Sequence, residues 1–114
     1  MGECVFCKIA SGEIPAKLLY QDDEFVAFAD INPQAPVHLL VIPRTHYANI
    51  VEAQKADASL GGRMLSVVTR LAEEQGLSGQ GFRVVCNTGN NGGQTVGHLH
   101  FHVLGGRFMS WPPG

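Results

Sequence analysis

The chain has 114 residues, which is enough for one hydrophobic core and too few for two. Its hydrophobic fraction of 45% and charged fraction of 16% are those of a globular protein and argue against intrinsic disorder. The net charge of −2 argues against a broad grip on nucleic acid, and the apolar runs are too short to span a membrane. We therefore treat residues 1–114 as one domain that binds neither nucleic acid nor membrane.

The N-terminal half of the chain predicts one short helix and three strands. The helix ends near Gly12, since glycine commonly terminates helices. Three apolar runs, separated by a polar turn and a proline-containing loop, have the length and composition of strands. They cover residues 18–20, 25–28 and 37–43. The third run is rich in aliphatic residues, which predicts a central strand.

The C-terminal half predicts a long helix and two more strands. From about Lys55 to Gln75, apolar residues recur at steps of three and four, with Gly76 as the C-terminal cap. Residues 82–86 and 98–103 predict the fourth and fifth strands. Strands clustered around one long helix are typical of an α+β fold. We expect an antiparallel sheet of about five strands, one long helix and a short N-terminal helix.

Three histidines alternate with apolar residues in the run His98-Leu99-His100-Phe101-His102-Val103. On a strand, all three imidazoles would share one face and the apolar residues would point into a core. Neutral imidazole is a nucleophile, a general base and a metal ligand, so this run predicts either a metal site or a nucleophilic histidine. A solvent-facing polar strip is the alternative. His38, within the third strand, is either a buried core residue or a neighbour of this histidine strand.

The loop directly before the histidines is rich in glycine. Residues 87–97 contain four glycines and three asparagines, and Thr95 adds a hydroxyl donor. Backbone N–H groups in such a loop can form an anion-binding nest, although a plain flexible turn has the same composition. Because the histidines follow at once, an anion held in this loop would lie beside three imidazoles.

The pair Cys4-x-x-Cys7 is either half of a metal site or a redox pair. No thioredoxin-like βαβ pattern surrounds it, which favours a metal. His46 and one histidine of the strand are the natural further ligands. Three cysteines are a poor disulfide framework, and the N-terminus has no basic and apolar regions of a secretion signal. We therefore expect reduced thiols and a cytoplasmic location.

Several segments of the chain match the motifs of a known family. The run from His98 to Leu104 resembles the histidine-triad motif His-φ-His-φ-His-φ-φ, in which φ is apolar. The other matching segments are Cys7-Lys8-Ile9 to Ile14-Pro15-Ala16, Asp30-Ile31-Asn32-Pro33-Gln34-Ala35-Pro36, Gly92-Gly93-Gln94-Thr95-Val96 and Gly105-Gly106-Arg107 to Trp111-Pro112-Pro113-Gly114. From near residue 4 to its end, the chain resembles the histidine triad (HIT) superfamily, and within it the HINT branch of histidine triad nucleotide-binding proteins.

The resemblance implies a homodimer of HIT-like α+β domains whose sheets join into one continuous sheet. It also implies hydrolysis of purine nucleoside 5′-phosphoramidates to a nucleoside monophosphate and an amine. His100 is then the nucleophile that forms a nucleotidyl-histidine intermediate. His102 and His38 surround the phosphate and the nucleophile. The hydroxyl of Thr95, at a position that is often serine, helps the amine to leave.

The resemblance also assigns a nucleotide site. The carboxylate of Asp30 accepts hydrogen bonds from the ribose hydroxyls. The apolar walls of the base pocket are Phe6, Phe28, Ile31 and Leu40. The α-phosphate contacts come from Asn87 and from the backbone of Gly93, Gln94, Thr95 and Val96, beside His100 and His102. Trp111 reaches toward the leaving-group side of the partner's site.

Four residues match a zinc site of some microbial relatives: Cys4, Cys7, His46 and His98. The resemblance implies that this Zn²⁺ is structural, because all four positions are filled by protein ligands. It ties the N-terminus to the sheet and leaves two histidines for the phosphate. No organic cofactor is implied.

Three other functions use the same residues differently. A zinc hydrolase could use the three histidines as ligands of a catalytic metal, but it would leave the glycine loop, Asp30 and the cysteine pair without a shared purpose. A nucleotide sensor or interaction module could have incidental hydrolase activity. The dinucleoside polyphosphate hydrolase branch of the superfamily is disfavoured by Gly105-Gly106 and by the ending Trp111-Pro112-Pro113-Gly114.

Overall fold

A five-stranded antiparallel sheet forms the centre of the computed structural model, which describes residues 4–114. In chain order the strands are β1 (Leu18–Gln21), β2 (Phe25–Ala29), β3 (Val37–Pro43), β4 (Phe82–Val85) and β5 (Phe101–Gly105). Their order across the sheet is β1-β2-β3-β5-β4, and every neighbouring pair is antiparallel. The predicted α+β fold is thereby confirmed. The central position of β3 explains its long aliphatic run, which is buried on both faces.

Three helices accompany the sheet: α1 (Val5–Ser11), α2 (Ile50–Ala56) and α3 (Leu60–Glu74). Helix α1 ends at Gly12, whose φ of 83° lies in the left-handed region that glycine favours. Helix α2 was not predicted. The sequence feature that marks its start is an N-terminal cap. The Asn49 side chain accepts a hydrogen bond from the Glu52 N–H, and the Glu52 side chain accepts one from the Ala48 N–H.

The long helix α3 begins at Leu60, five residues after the predicted start at Lys55, which belongs to α2. Residues 57–59 separate the two helices. At Gly61 the backbone N–H donates to Gln54 Oε1 at 2.7 Å, and a Cβ on Gly61 would lie only 2.9 Å from that oxygen. The glycine that weakens α3 near its start therefore permits close contact with α2.

The two faces of the sheet carry separate apolar clusters. On one face, α3 packs against alternate strand residues; this α3-face cluster includes Phe25, Leu39, Val41, Met64, Val68, Leu71, Leu99, Phe101 and Val103. On the other face, α1 covers a smaller α1-face cluster of Phe6, Ala10, Val26, Phe28, Leu40 and Ile42. The alternation is that of ordinary strands. No helix within residues 4–114 is long and apolar enough to cross a membrane.

The fifth strand begins at Phe101 rather than at His98, so its predicted start was wrong. The reason lies in the backbone before Phe101. The Leu99 N–H donates to the Tyr47 carbonyl at 2.7 Å, and the His98 carbonyl accepts from the His100 side chain, so neither group joins the sheet. The alternation of side chains nevertheless continues, with Leu99 in the α3-face cluster and His98 and His100 against Phe6 on the opposite face.

Candidate functional site

His100 lies on the α1 face of the sheet with its ring almost fully buried. Its Nδ1 is 2.7 Å from the His98 carbonyl oxygen. A carbonyl can only accept, so Nδ1 carries the proton of the neutral imidazole. The lone pair of His100 is therefore on Nε2, where it is free to attack an electrophile.

His102 and His38 are held in the opposite tautomer, with the proton on Nε2 and the lone pair on Nδ1. The Gln34 backbone N–H donates to His38 Nδ1 at 3.0 Å, which places the His38 proton on Nε2. That Nε2 lies 2.9 Å from His102 Nδ1, so the His38 N–H donates and His102 keeps its own proton on Nε2. The rings of His100 and His102 are 5.0 Å apart between centroids. The free lone pair on His100 Nε2 and the free N–H on His102 Nε2 thus belong to neighbouring rings.

Burial keeps His102 neutral. Burial is the largest cause, His100 and His38 act in the same direction and Asp30 opposes them, and together they lower the pKa of His102 from 6.5 to about 4. Burial also lowers the pKa of His98. Near neutral pH, His102 is therefore a hydrogen-bond donor without a net charge.

This shift makes stability dependent on pH. Between about pH 6.5 and pH 4 the unfolded chain binds a proton at His102 that the folded chain does not, so the free energy of unfolding falls as pH falls through this range. We expect a loss of about 1 to 2 kcal/mol from His102, after allowing for its partial exposure. Urea unfolding of the wild type and of His102→Gln across this range isolates the term, because other groups titrate in both proteins. A difference between the two proteins that does not change with pH would contradict the expectation.

Asp30 lies at the outer end of this histidine pair. Its Oδ2 is 3.5 Å from His38 Nε2, and its Oδ1 accepts the Asn32 N–H at 2.8 Å. Asp30, His38 and His102 place their ligand atoms within 4.8 Å of one another. His38 Nε2 carries a proton, however, so this set lacks the three free lone pairs that a metal ion needs. The arrangement is suited to hydrogen bonding rather than to metal binding.

The glycine-rich loop is held by two of its own side chains. Asn87 donates to the Gly92 carbonyl at 2.6 Å. Gln94 accepts from the Gly89 N–H at 3.0 Å and donates to the Ala48 carbonyl at 2.6 Å. A Cβ at Gly92 would lie 2.3 Å from the backbone carbonyl oxygen of Thr88, so this position requires glycine. These hydrogen bonds give the loop one defined conformation, in contrast to a flexible turn.

The residues of the expected nucleotide site fall into two groups. Phe6, Phe28 and Leu40 are buried in the α1-face cluster, where Val96 packs against them and the Phe6 ring lies 5.2 Å from His100. The second group is exposed and consists of Ile31 and Trp111, whose exposed fractions are 101% and 79%. Thr95 is exposed and Gly93 has a φ of 75°. The structure thus brings the apolar group to His100 and packs Val96, near the end of the loop, against that group, and it leaves Ile31 and Trp111 exposed.

The structure brings Cys4, Cys7, His46 and His98 together at the start of α1, with their ligand atoms within 4.8 Å of one another. Cys4 Sγ is 3.2 Å from His98 Nδ1, and Cys7 Sγ is 3.3 Å from His46 Nδ1. The two Nδ1 atoms are 3.2 Å apart. Tetrahedral Zn²⁺, with bonds of about 2.3 Å to sulfur and 2.0 Å to nitrogen, separates neighbouring ligand atoms by about 3.3 to 3.8 Å. The cluster has nearly these dimensions.

Hydrogen bonds around the cluster fit a metal as well. His98 Nε2 lies 2.9 Å from the Pro43 carbonyl, which places its proton there and leaves the Nδ1 lone pair facing the cysteines. The Cys7 N–H donates to Cys4 Sγ at 3.3 Å. Burial, with the hydrogen bond and charge of Cys4, raises the pKa of Cys7 to about 11. A bound cation would reverse that shift, because it stabilises thiolates.

The three histidines of the run do not converge on one point. His98 directs Nδ1 at the cysteines, whereas His100 and His102 have their Nδ1 atoms engaged by the His98 carbonyl and by His38. A catalytic zinc held by all three histidines is therefore disfavoured. Sequence reasoning missed Gln34 and the Pro43 carbonyl, which fix two of the histidines through the backbone, where no residue type gives a signal.

Comparisons with known proteins agree on one family. The HIT domain family model matches residues 11–109. A HIT-like protein of Synechococcus elongatus is 51% identical over 112 residues, covering 98% of this chain and 97% of the relative. A HIT family hydrolase of Legionella pneumophila has a crystal structure with a TM-score of 0.93 at 50% identity, covering 98% of this chain and all of the other. A histidine triad nucleotide-binding protein of Candida albicans gives a TM-score of 0.79 at 34% identity, covering 89% of this chain and 73% of the other.

Proposed function

Because the chain belongs to the HIT domain family, we propose that it is a hydrolase of the HINT branch that acts on purine nucleoside 5′-phosphoramidates. The similar chain from Legionella is named a hydrolase, and the one from Candida a nucleotide-binding protein. The observation that carries the proposal is the free Nε2 lone pair of His100 beside the Nε2–H of His102. A phosphoryl centre needs this combination, since it is attacked at phosphorus while negative charge grows on its oxygens.

The reaction has two displacements at the same phosphorus. His100 Nε2 forms a bond to the α-phosphorus as the bond from phosphorus to the amine breaks, and the amine leaves with a proton supplied through the Thr95 hydroxyl. The His98 carbonyl stabilises the charge on the modified ring through the Nδ1–H. Water then attacks the phosphorus, breaks its bond to Nε2 and releases the nucleoside monophosphate. The water proton replaces the one taken by the amine, and His100 returns to its neutral state.

The other expected residues bind the nucleotide around this centre. His102 donates to a phosphate oxygen, and the backbone at residues 93–96 with Asn87 contacts the α-phosphate. Asp30 accepts from the ribose, since its Oδ2 has only the long contact of 3.5 Å to His38. The α1-face cluster, with Phe6 beside His100, provides the apolar wall for the base. Ile31 adds an exposed part of that wall, and Trp111 reaches toward the leaving-group side of the partner's site.

The cysteine and histidine cluster holds a structural Zn²⁺ in this proposal. Cys4, Cys7, His46 and His98 supply four ligands, so no position is left for substrate or water. When bound, the ion ties α1 to the segment that precedes β5. No cysteine of residues 4–114 forms a disulfide, which accords with the reducing cytoplasm we propose as the location.

We also propose that the whole chain, residues 1–114, is a single HIT domain that dimerises through β4. This strand is at one edge of the sheet, where Phe82 and Val84 are each 37% exposed. An exposed apolar edge strand pairs readily with a second copy, which would join the two sheets into one. Arg83 of β4 donates to the Met109 and Ser110 carbonyls, so the C-terminal tail lies beside this edge, which accords with a partner role for Trp111.

We expect the protein to sediment at twice the mass of one chain, and Val84→Lys to sediment as a monomer at the same concentration. The lysine places a charge on the edge that pairing would bury. Val51→Lys is the control, because Val51 is 53% exposed on α2, which is not part of the sheet. A wild type that sediments as a monomer, or a Val84→Lys protein that remains dimeric, would exclude this interface.

Phosphorus NMR with adenosine 5′-phosphoramidate tests the proposed function. Conversion of the phosphoramidate signal into that of AMP identifies the reaction and the bond that breaks. If a folded protein binds AMP yet releases none from the phosphoramidate, it is a nucleotide-binding module and the proposed hydrolysis is wrong.

A further inference from the structure

Arg107 lies two residues after the end of the sheet, where β5 leads into the C-terminal tail. Its Nε and Nη2 both donate to the Gln34 carbonyl, at 3.1 and 3.0 Å, and its Nη1 donates to the Phe108 carbonyl at 3.0 Å. A guanidinium that places two donors on one oxygen fixes that oxygen in position and direction. We propose that Arg107 is a positioning residue, which holds Gln34 so that His38 and His102 keep their proton arrangement. This inference rests on the proposed function.

The connection runs through three successive hydrogen bonds. Arg107 holds the carbonyl of Gln34, whose N–H donates to His38 Nδ1 at 3.0 Å. His38 Nε2 in turn donates to His102 Nδ1 at 2.9 Å. If Gln34 moves, His38 can carry its proton on Nδ1 instead, which leaves two lone pairs facing each other across that 2.9 Å contact. His102 must then place its proton on Nδ1, and it loses the Nε2–H that faces the phosphate.

The packing between the tail and the Gln34 loop is built for this contact. Gly106 has a φ of 90°, and a Cβ at this position would lie 2.8 Å from Pro36 Cβ. A side chain there would push the tail away from the loop, and with it the guanidinium of Arg107. The Gln34 side chain donates to the Asn32 carbonyl at 3.0 Å, which closes the loop from within. In this proposal the Gly-Gly-Arg segment after the histidines positions Gln34 and does not itself contact the reacting atoms.

Arg83 provides a matched control. Its Nη2 donates to the Ser110 carbonyl at 3.0 Å and to the Met109 carbonyl at 3.4 Å. It holds the same tail as Arg107, but it makes no hydrogen bond to Gln34. Comparing Arg107→Ala with Arg83→Ala thus separates an effect on the histidines from a loosening of the tail.

The experiment records the ¹⁵N NMR signals of the imidazoles, the melting temperature, kcat and KM for both variants. For Arg107→Ala we expect His38 and His102 to lose their single Nε2–H states and kcat to fall about tenfold, with little change in KM. Guanidinium ions at millimolar concentration should restore part of the activity. Arg83→Ala should retain the imidazole signals and kcat of the wild type. If Arg107→Ala does not fold, Arg107→Lys, which has one ammonium in place of the fork, should show the same changes more weakly.

A lowered melting temperature with unchanged imidazole signals and unchanged kcat would make Arg107 a purely structural residue and overturn the proposal. Equal changes in Arg83→Ala would overturn it too, because the tail alone would then explain them. If the wild type hydrolyses no phosphoramidate while the imidazole signals still change in Arg107→Ala, the proposed function fails and the positioning role stands.

Discussion

His100→Ala is expected to lower kcat for adenosine 5′-phosphoramidate by a factor of about 10⁴ to 10⁶. His100 Nε2 is the nucleophile of the proposed reaction. The Nδ1–H of His100 donates to the His98 carbonyl, so the free lone pair of the ring is on Nε2. His102 cannot replace it, since its Nδ1 accepts from His38 and its Nε2 carries a proton. Water acting alone at the phosphorus must supply what remains of the rate. Phosphorus NMR of AMP release, with variant and wild type side by side, measures the loss.

The fold and nucleotide affinity of His100→Ala provide its controls. His100 is buried beside Phe6, so the smaller side chain leaves a cavity and costs some stability. His100→Gln fills more of that space and should be equally inactive. Both variants should still bind AMP, because the ribose and base contacts are elsewhere. Near-normal hydrolysis by either folded variant would make the covalent mechanism wrong.

Cys7→Ser is expected to lower the melting temperature by about 10 to 20 °C, which corresponds to about 3 kcal/mol for a domain of this size. Loss of the proposed metal would free α1 from His46 and His98, with which Cys7 forms the cluster. The activity of the folded fraction should fall much less. His98 keeps its bond to the Pro43 carbonyl, and Leu99 keeps its bond to the Tyr47 carbonyl, so the carbonyl that orients the nucleophile stays in place.

Cys86→Ser is the matched control, since Cys86 is a half-buried thiol packed against the α3-face cluster and outside the metal cluster. It should cost about 1 kcal/mol. A chelator should lower the melting temperature of the wild type and of Cys86→Ser, but not that of Cys7→Ser. Thermal melting with metal analysis of each protein measures both effects. If the chelator abolishes turnover and leaves the melting temperature unchanged, the metal is catalytic and the structural assignment is wrong.

The sequence predicted best where one kind of interaction decides the local structure. The bounds of β3 were predicted as the structure has them, because an aliphatic run of that length is buried on both faces of a sheet. Helix α2 was missed because its short apolar pattern is weaker than the cap at Asn49 and Glu52 that starts it.

The candidate site was predictable in its residue types but not in its proton arrangement. The alternation at His98, His100 and His102 indicated one shared face, and the structure places His98 and His100 on the α1 face. Which nitrogen of each ring is free depends on backbone groups, such as the Gln34 N–H and the His98 carbonyl. Those groups are present in every residue, so only the fold shows which of them meets a histidine.

Mass spectrometry of the base-quenched reaction tests the central claim most directly, because the P–N bond of a nucleotidyl-histidine is stable in base and hydrolyses in acid. The protein is mixed with adenosine 5′-phosphoramidate, quenched within one turnover and digested. We expect an adenylyl group on the peptide that contains His100, at the nitrogen that the structure leaves free. The group should appear before AMP accumulates and should be absent from His100→Gln. AMP released at the full rate with no adduct at any time, or with the adduct on another residue, would contradict it.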